Sequence, residues 1–307
     1  MRRLGKKTQI LEIVFLSKNA WLFRGAYGNC SCCKGGSETI MIYVLSDIHG
    51  QKRRFESIMK QINLQPEDTL YVLGDVIDRN PDGIKILRKL MAMPNVKMIL
   101  GNHEYMMLDA LYYEHKDYEF GWQLRQERRL ALWYQNGGGI THYYLKHIKK
   151  PTRTEIFEYL SQLPLNEEVI VNGQRFILAH AAPAELFKVY RQFASYRTVE
   201  SFALWHRFTG YEDHPCDGTI IFGHTGTYHY QDDNPMRIWY GKGLIGIDCG
   251  AAYPEGEDPW TGQRGCLSCL RLDDMKEFYS EEMEVDNDSN EPENQRKIGS
   301  TTSLSLH

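Results

Sequence analysis

Five short apolar runs in this chain end in the same way, on Asp, His or Asn within two residues of the last strand-like position. Residues 41–46 lead to Asp47 and His49 in SDIHG, 69–74 to Asp75 in GDVIDR, 96–101 to Asn102 and His103 in GNHE, 175–179 to His180 in LAHAAP, and 219–222 to His224 in FGHT. The steps from Asp47 to Asp75 and from Asp75 to Asn102 are 28 and 27 residues. Each is the length of a strand, a helix and a return strand, so these residues fall in register with βαβ units. The runs are aliphatic on both faces, as strands inside a sheet are. Helical stretches are expected over 53–62 and 82–91, and further strands over 168–171, 244–247 and 266–272. That alternation selects an α/β fold over a helical bundle or an all-β sandwich.

In open α/β sheets, sites are built at the carboxyl ends of strands, where sequence-distant positions meet. Asp47, His49, Asp75, Asn102, His180 and His224 form a mixed oxygen and nitrogen set suited to borderline divalent metals such as Mn²⁺, Fe²⁺ or Zn²⁺. Six ligands exceed what one ion with an open position would use. Asp75 is the natural bridge between two ions, because its strand is expected between those carrying Asp47 and Asn102. Two such ions would clamp a phosphate and a shared water and bring that water's pKa towards neutrality.

Charge divides the chain in three. Residues 1–40 carry seven Lys+Arg against two acids, 41–280 carry 27 against 31, and seven of the thirteen residues 281–293 are acidic. A catalytic domain is expected over 41–280, a size one core can support. Residues 1–40 read as an extension outside the fold, with a secretory signal the lesser reading because Glu12 interrupts the apolar stretch 10–16. Residues 281–307 read as an acidic, polar, disordered tail. A net charge of −4 argues against a nucleic-acid partner, and no run is long enough for a membrane span. Seven cysteines without a disulfide pattern suit a cytoplasmic protein. The single CxxC at Cys266 and Cys269, or the cluster Cys30, Cys32, Cys33, is a weak zinc signal.

DxH, GDxxDR, GNHE and two later histidine blocks, in this order, resemble the calcineurin-like metallophosphoesterases, and most of all the phosphoprotein phosphatase branch with its bacterial and phage members. The likeness runs from Met41 to about Ser280 and includes Asn136, Gly137, Gly138, Trp205 and Arg207. It implies a four-layer αββα sandwich with two central mixed sheets. It also implies one metal on Asp47, His49 and Asp75, and a second on Asp75, Asn102, His180 and His224, with Mn²⁺ the first choice and Fe or Zn the alternatives. By the same resemblance His103 is the general acid, Asp78 its hydrogen-bonded orienter, and Arg79 and Arg207 grip the phosphate. Each role suits the residue: imidazolium titrates near neutral pH, and fork-shaped guanidinium groups match phosphate oxygens.

The pattern departs from the family in three places. Asn80 follows GDVIDR where many relatives have Gly, and Asn tolerates left-handed backbone. Ala181 and Ala182 follow His180 where a glycine is usual, and Thr225-Gly226 follow His224 where nuclease-like branches place another histidine. The glycines Gly137–139 lack the Lys and Ser/Thr of a P-loop and read as a flexible connector. The aromatic, basic stretch 112–150 reads as helical packing on the core, with a substrate cap as the alternative. His206, His115, His142, His147, His214 and His229 are assigned to surface or packing roles. The expected substrate is phosphoserine or phosphothreonine in a protein or peptide. A nucleotide-type substrate, cleaved as a symmetrical diadenosine polyphosphate, is the enzymatic rival, and a catalytically silent metal-bound scaffold is the rival from another class.

Overall fold

The computed structural model describes residues 40–113, 122–192, 196–211, 214–252 and 264–281. The expectations for the N-terminal extension, for Cys30, Cys32 and Cys33, and for the acidic tail beyond Glu281 lie outside those residues. In chain order the elements are β1 (Ile42–Leu45), α1 (Lys52–Ile62), β2 (Thr69–Val72), α2 (Gly83–Met91), β3 (Val96–Met98), α3 (Asn102–Leu111), α4 (Trp122–Gln135), α5 (Gly139–His147) and α6 (Lys150–Ser161). They continue with β4 (Asn166–Val171), β5 (Gln174–Ala179), α7 (Phe187–Tyr190), α8 (Val199–Trp205), β6 (Thr219–Phe222), β7 (Trp239–Tyr240), β8 (Leu244–Gly246), β9 (Ser268–Arg271) and β10 (Lys276–Tyr279). No helix among them is long and apolar enough to cross a membrane.

Two mixed five-stranded sheets result, ordered β10-β9-β1-β2-β3 and β4-β5-β6-β8-β7. β1, β2 and β3 are parallel, as are β5, β6 and β8. β2 therefore lies between β1 and β3, where a bridging residue at its end is shared by both neighbours.

Successive strand residues face opposite sides of a sheet, and the strands here are apolar on both. Tyr43 and Leu45, with Leu70 and Val72, join a core with Phe55, Ile58 and Ile62 of α1 and Ile84, Leu87 and Leu90 of α2. The intervening Val44, Tyr71 and Leu73 join a second core with Phe176, Leu178, Ile221 and Ile245 of the other sheet. The alternate residues Ile177, Ile220 and Phe222 face Phe202 of α8 and Leu186. Three cores separate four layers, helices, sheet, sheet and helices, which is the αββα sandwich the sequence resemblance implied. Each fully buried Leu, Ile or Phe contributes about 1.5–3 kcal/mol.

Local readings needed correction in four places. β7 and β10 have no counterpart among the expected strands, because edge strands carry exposed residues such as Lys276, Glu277 and Tyr240 rather than continuous apolar runs. Cys266 and Cys269 fall in different cores, so the CxxC cannot converge on one ion. Asn80 is not left-handed; Asp78 and Arg79 are, and the Asn80 amide instead donates to the His49 carbonyl at 2.9 Å. The Gly137–139 segment is a turn bonded to the loop after β2, with Arg79 N–H donating to Gly137 O at 3.2 Å. Ala181 and Ala182, whose N–H groups both point to Ala203 O at 3.2 Å, leave the His180 position intact.

Candidate active site

The strand ends meet along one edge and are tied together by backbone. Beyond β1 and β2 the chains remain zipped: Asp47 N–H donates to Gly74 O at 3.2 Å, His49 N–H to Asp75 O at 2.9 Å, and Gly50 N–H to Val76 O at 2.9 Å. Nine non-glycine residues have positive φ among those described, and six are Asp47, His49, Asp75, Asp78, Arg79 and His224. Such conformations cost about 1–3 kcal/mol each and persist only where the surroundings over-determine them, typically at functional sites.

Two glycines let the loops after β2 and β3 approach. A Cβ on Gly74 would lie 2.5 Å from Gly101 Cα, and one on Gly101 would lie 2.4 Å from both Asp75 N and Asp75 Oδ1. Glu104, fully buried on the first turn of α3, clamps the Asp75 loop from behind. Its carboxylate accepts from the N–H groups of Asp75 at 2.8 Å, Val76 at 2.9 Å and Ile77 at 3.2 Å. Burial and the neighbouring Asp75 nevertheless push its pKa up to about 7.

All six expected ligands come together. A backbone carbonyl only accepts, so His49 Nδ1 must donate to Ile77 O at 3.1 Å and His180 Nδ1 to Leu73 O at 2.7 Å. That leaves each Nε2 lone pair inward. His49 Nε2 then faces Asp75 Oδ2 at 3.5 Å, and His180 Nε2 faces Asp75 Oδ1 at 3.5 Å. Asn102 Oδ1 lies 2.8 Å from His180 Nε2 and 3.2 Å from His224 Nδ1. Asp47 Oδ1 stands 3.9 Å from His49 Nε2, while its other oxygen is held by Ser46 Oγ at 2.5 Å and His224 N–H at 3.0 Å. His224 Nε2 is buried without a hydrogen-bond partner.

Ligand atoms of Asp75, His180 and His224 all lie within 4.8 Å of one another, as do those of His49, Asp75 and His103. The two clusters share Asp75. His103 is a poor third member, since its Nδ1 is bonded to Asp78 Oδ2 at 2.8 Å and its Nε2 faces the Arg79 guanidinium at 3.2 Å. Asp47 Oδ1, 3.9 Å from His49 Nε2, is the better candidate for that place.

Burial holds His49 and His224 well below the ordinary histidine range and lowers His180. Burial opposes charge on Asp75, but the surrounding His180, His103 and His49 outweigh it and hold its carboxyl below the usual range. Burial, with Asp248 and Asp75 beside it, pushes Asp47 well up. Oxygen and nitrogen donors therefore crowd together in a buried space, an arrangement that divalent cations satisfy. These residues could hold two ions, one on Asp47, His49 and Asp75 and one on Asp75, Asn102, His180 and His224.

His103 differs from the other histidines. Burial alone would lower its pKa, but Asp75 and Asp78 outweigh burial and raise it. Arg79 and Arg207 line the same cleft, with Asn136, Trp205 and Asp248. Arg207 Nη1 donates to His224 O at 3.3 Å and Thr225 Oγ1 at 3.2 Å. His206, by contrast, packs between Phe202 and Phe208.

Two acidic residues outside the expected ligand and catalytic sets, Asp248 and Glu104, also stand at the site. Asp248 follows β8 and accepts from Gly250 N–H at 3.0 Å, and burial raises its pKa. The rule that marked the other five strand ends marks this one as well. Glu104 had no such signal, because its partners are backbone amides.

A family model described as calcineurin-like phosphoesterase matches residues 40–247. Serine/threonine-protein phosphatase 2 of Salmonella typhimurium is 32% identical over 196 residues, 60% of this chain and 78% of that protein. The symmetrical bis(5'-nucleosyl)-tetraphosphatase of Acidovorax sp. (strain JS42) is 29% identical over 172 residues, 55% of this chain and 54% of that protein. The chain thus spans about half the length of the Acidovorax relative. A solved structure described as a putative diadenosine tetraphosphatase aligns with a TM-score of 0.47 at 20% identity, covering 79% of this chain and 94% of that one. The family match takes in every strand end that supplies a donor to either cluster, and the chain belongs to the calcineurin-like phosphoesterases, a family of phosphoric ester hydrolases.

Proposed function

We propose that this chain is a dimetal-dependent phosphatase acting in the cytoplasm on phosphoserine or phosphothreonine in proteins or peptides, with Mn²⁺ as its metal and Fe or Zn as alternatives. The observation that carries the reading is the bond from His103 Nδ1 to Asp78 at 2.8 Å, set beside two donor clusters that share Asp75. The Salmonella relative, named as a serine/threonine-protein phosphatase, supports the substrate class and the phosphoprotein phosphatase branch.

When bound, the two ions supply Lewis acidity and an activated water. Asp75 would join both ions, Asp47 and His49 completing one site and Asn102, His180 and His224 the other. Arg79 and Arg207 hold the non-bridging phosphate oxygens, where developing charge is stabilised most. A guanidinium only donates, so in the geometry described Arg79 covers His103 Nε2 at 3.2 Å. A phosphate between the arginines draws Arg79 off the ring, and the neighbouring Asp75 and Asp78 favour protonation there. Asp78 fixes the ring so that its Nε2 proton faces the leaving oxygen.

The Acidovorax relative favours a second reading, symmetrical cleavage of a dinucleoside polyphosphate. A silent scaffold would need neither the His103–Asp78 pair nor the two arginines. One turnover panel with Mn²⁺ separates the three, using a phosphoserine peptide, an aryl phosphate and a diadenosine polyphosphate. We expect the highest kcat/KM among the natural-type substrates on the phosphopeptide. A preference for the dinucleotide would transfer the assignment, and no turnover of any of them would leave only the scaffold.

A further inference from the structure

Trp133, near the end of α4, is fully buried, and its indole N–H donates to Asp78 Oδ2 at 2.8 Å. That oxygen is the one bonded to His103 Nδ1 at 2.8 Å. The other carboxylate oxygen, Oδ1, is buried without a partner. The backbone N–H of Asp78 donates to Thr141 Oγ1 of α5 at 3.1 Å, so α4 and α5 hold Asp78 from two sides. The turn between them is shaped for this contact. A Cβ on Gly138 would lie 2.3 Å from Trp133 Nε1, so only glycine leaves room for the indole.

A buried tryptophan needs some acceptor for its N–H, and a peptide carbonyl would satisfy it without touching the site. Here the acceptor is the one carboxylate that orients His103. Both donors sit on the same oxygen, so any partial rotation of the Asp78 carboxylate that carries this oxygen off the imidazole also costs the indole bond. Without the indole bond the carboxylate plane is free to swing, and the ring loses its fixed tilt. We infer that Trp133 is a positioning residue for the proton donor: it locks Asp78, and through Asp78 the direction of His103 Nε2. The inference rests on the reading of His103 as general acid. It also gives α4, within the aromatic and basic stretch 112–150, a role beyond packing.

Trp133→Phe keeps an aromatic ring in the core and removes only the N–H donor and part of the ring. On the Mn²⁺-loaded enzyme we expect kcat on a phosphoserine peptide to fall about tenfold, as for loss of one hydrogen bond to a charged group. On p-nitrophenyl phosphate, whose leaving group needs no proton, the fall should be less than about threefold, with metal content unchanged. In a His103→Asn background the Trp133 change should have no further effect on either substrate, because there is no proton donor left to aim. Equal losses on both substrates, or a loss that persists in the His103→Asn background, would overturn the inference. If His103→Asn itself shows no leaving-group dependence, the acid reading has failed. If it does and Trp133→Phe does not, the tryptophan inference alone has failed. Should Trp133→Phe melt below the assay temperature, the assigned indole N–H resonance in the intact protein decides. A downfield, exchange-protected signal that shifts in His103→Asn supports the lock, and a signal at the free-indole position overturns it.

Discussion

Asp75→Asn empties both metal sites at once and lowers kcat by about 10³ or more, the scale expected when several kcal/mol of charge stabilisation are lost. No other single ligand change should do this, because only Asp75 belongs to both clusters. The loss should not come from unfolding. Asn keeps the shape of the side chain and tolerates the left-handed backbone of position 75, so the variant is expected to remain folded. Elemental analysis after gel filtration checks the stoichiometry, and two ions retained per chain would refute the shared role of Asp75.

His103→Asn separates proton transfer from metal binding. Both ions stay bound, while kcat on a phosphoserine peptide falls by about 10² to 10⁴, the usual contribution of a positioned acid. The fall is smaller on p-nitrophenyl phosphate, since nitrophenolate leaves without a proton and a serine alkoxide does not. The pH profile adds a second readout. The His103 pKa is raised above its ordinary value because Asp75 and Asp78 outweigh burial. The wild-type enzyme therefore keeps its protonated acid below that raised pKa and loses it as pH climbs through it. The alkaline fall in kcat on the phosphopeptide should disappear in the variant. An unchanged alkaline limb, or equal losses on the two substrates, would remove His103 from the acid role.

The donor positions were legible in the sequence because a parallel strand has one carboxyl end and the chemistry follows it within two residues. The same rule reaches Asp248, two residues after β8. Glu104 was hidden for another reason. It stands inside GNHE, but its work is to accept three backbone N–H groups from a segment 27 to 29 residues earlier, and no side-chain pattern marks that. Trp133 lies 55 residues from Asp78, so it takes the tertiary packing of α4, the turn after it and α5 onto the loop after β2 to bring the indole to the carboxylate. The Gly137–139 run shows why glycine alone misleads: the sequence reports freedom, whereas the fold uses the missing Cβ of Gly138 for close approach. The edge strands β7 and β10 escaped because one face of each is exposed.

In the proposed mechanism two divalent ions, joined by Asp75, are required for phosphate-ester hydrolysis. Titrating Mn²⁺ into EDTA-stripped protein, with phosphatase activity and bound metal measured on the same samples, tests it most directly. No activity is expected in the stripped protein, with full recovery only as occupancy reaches two ions per chain. Activity undiminished after complete metal removal, or full activity at one ion per chain, would contradict it.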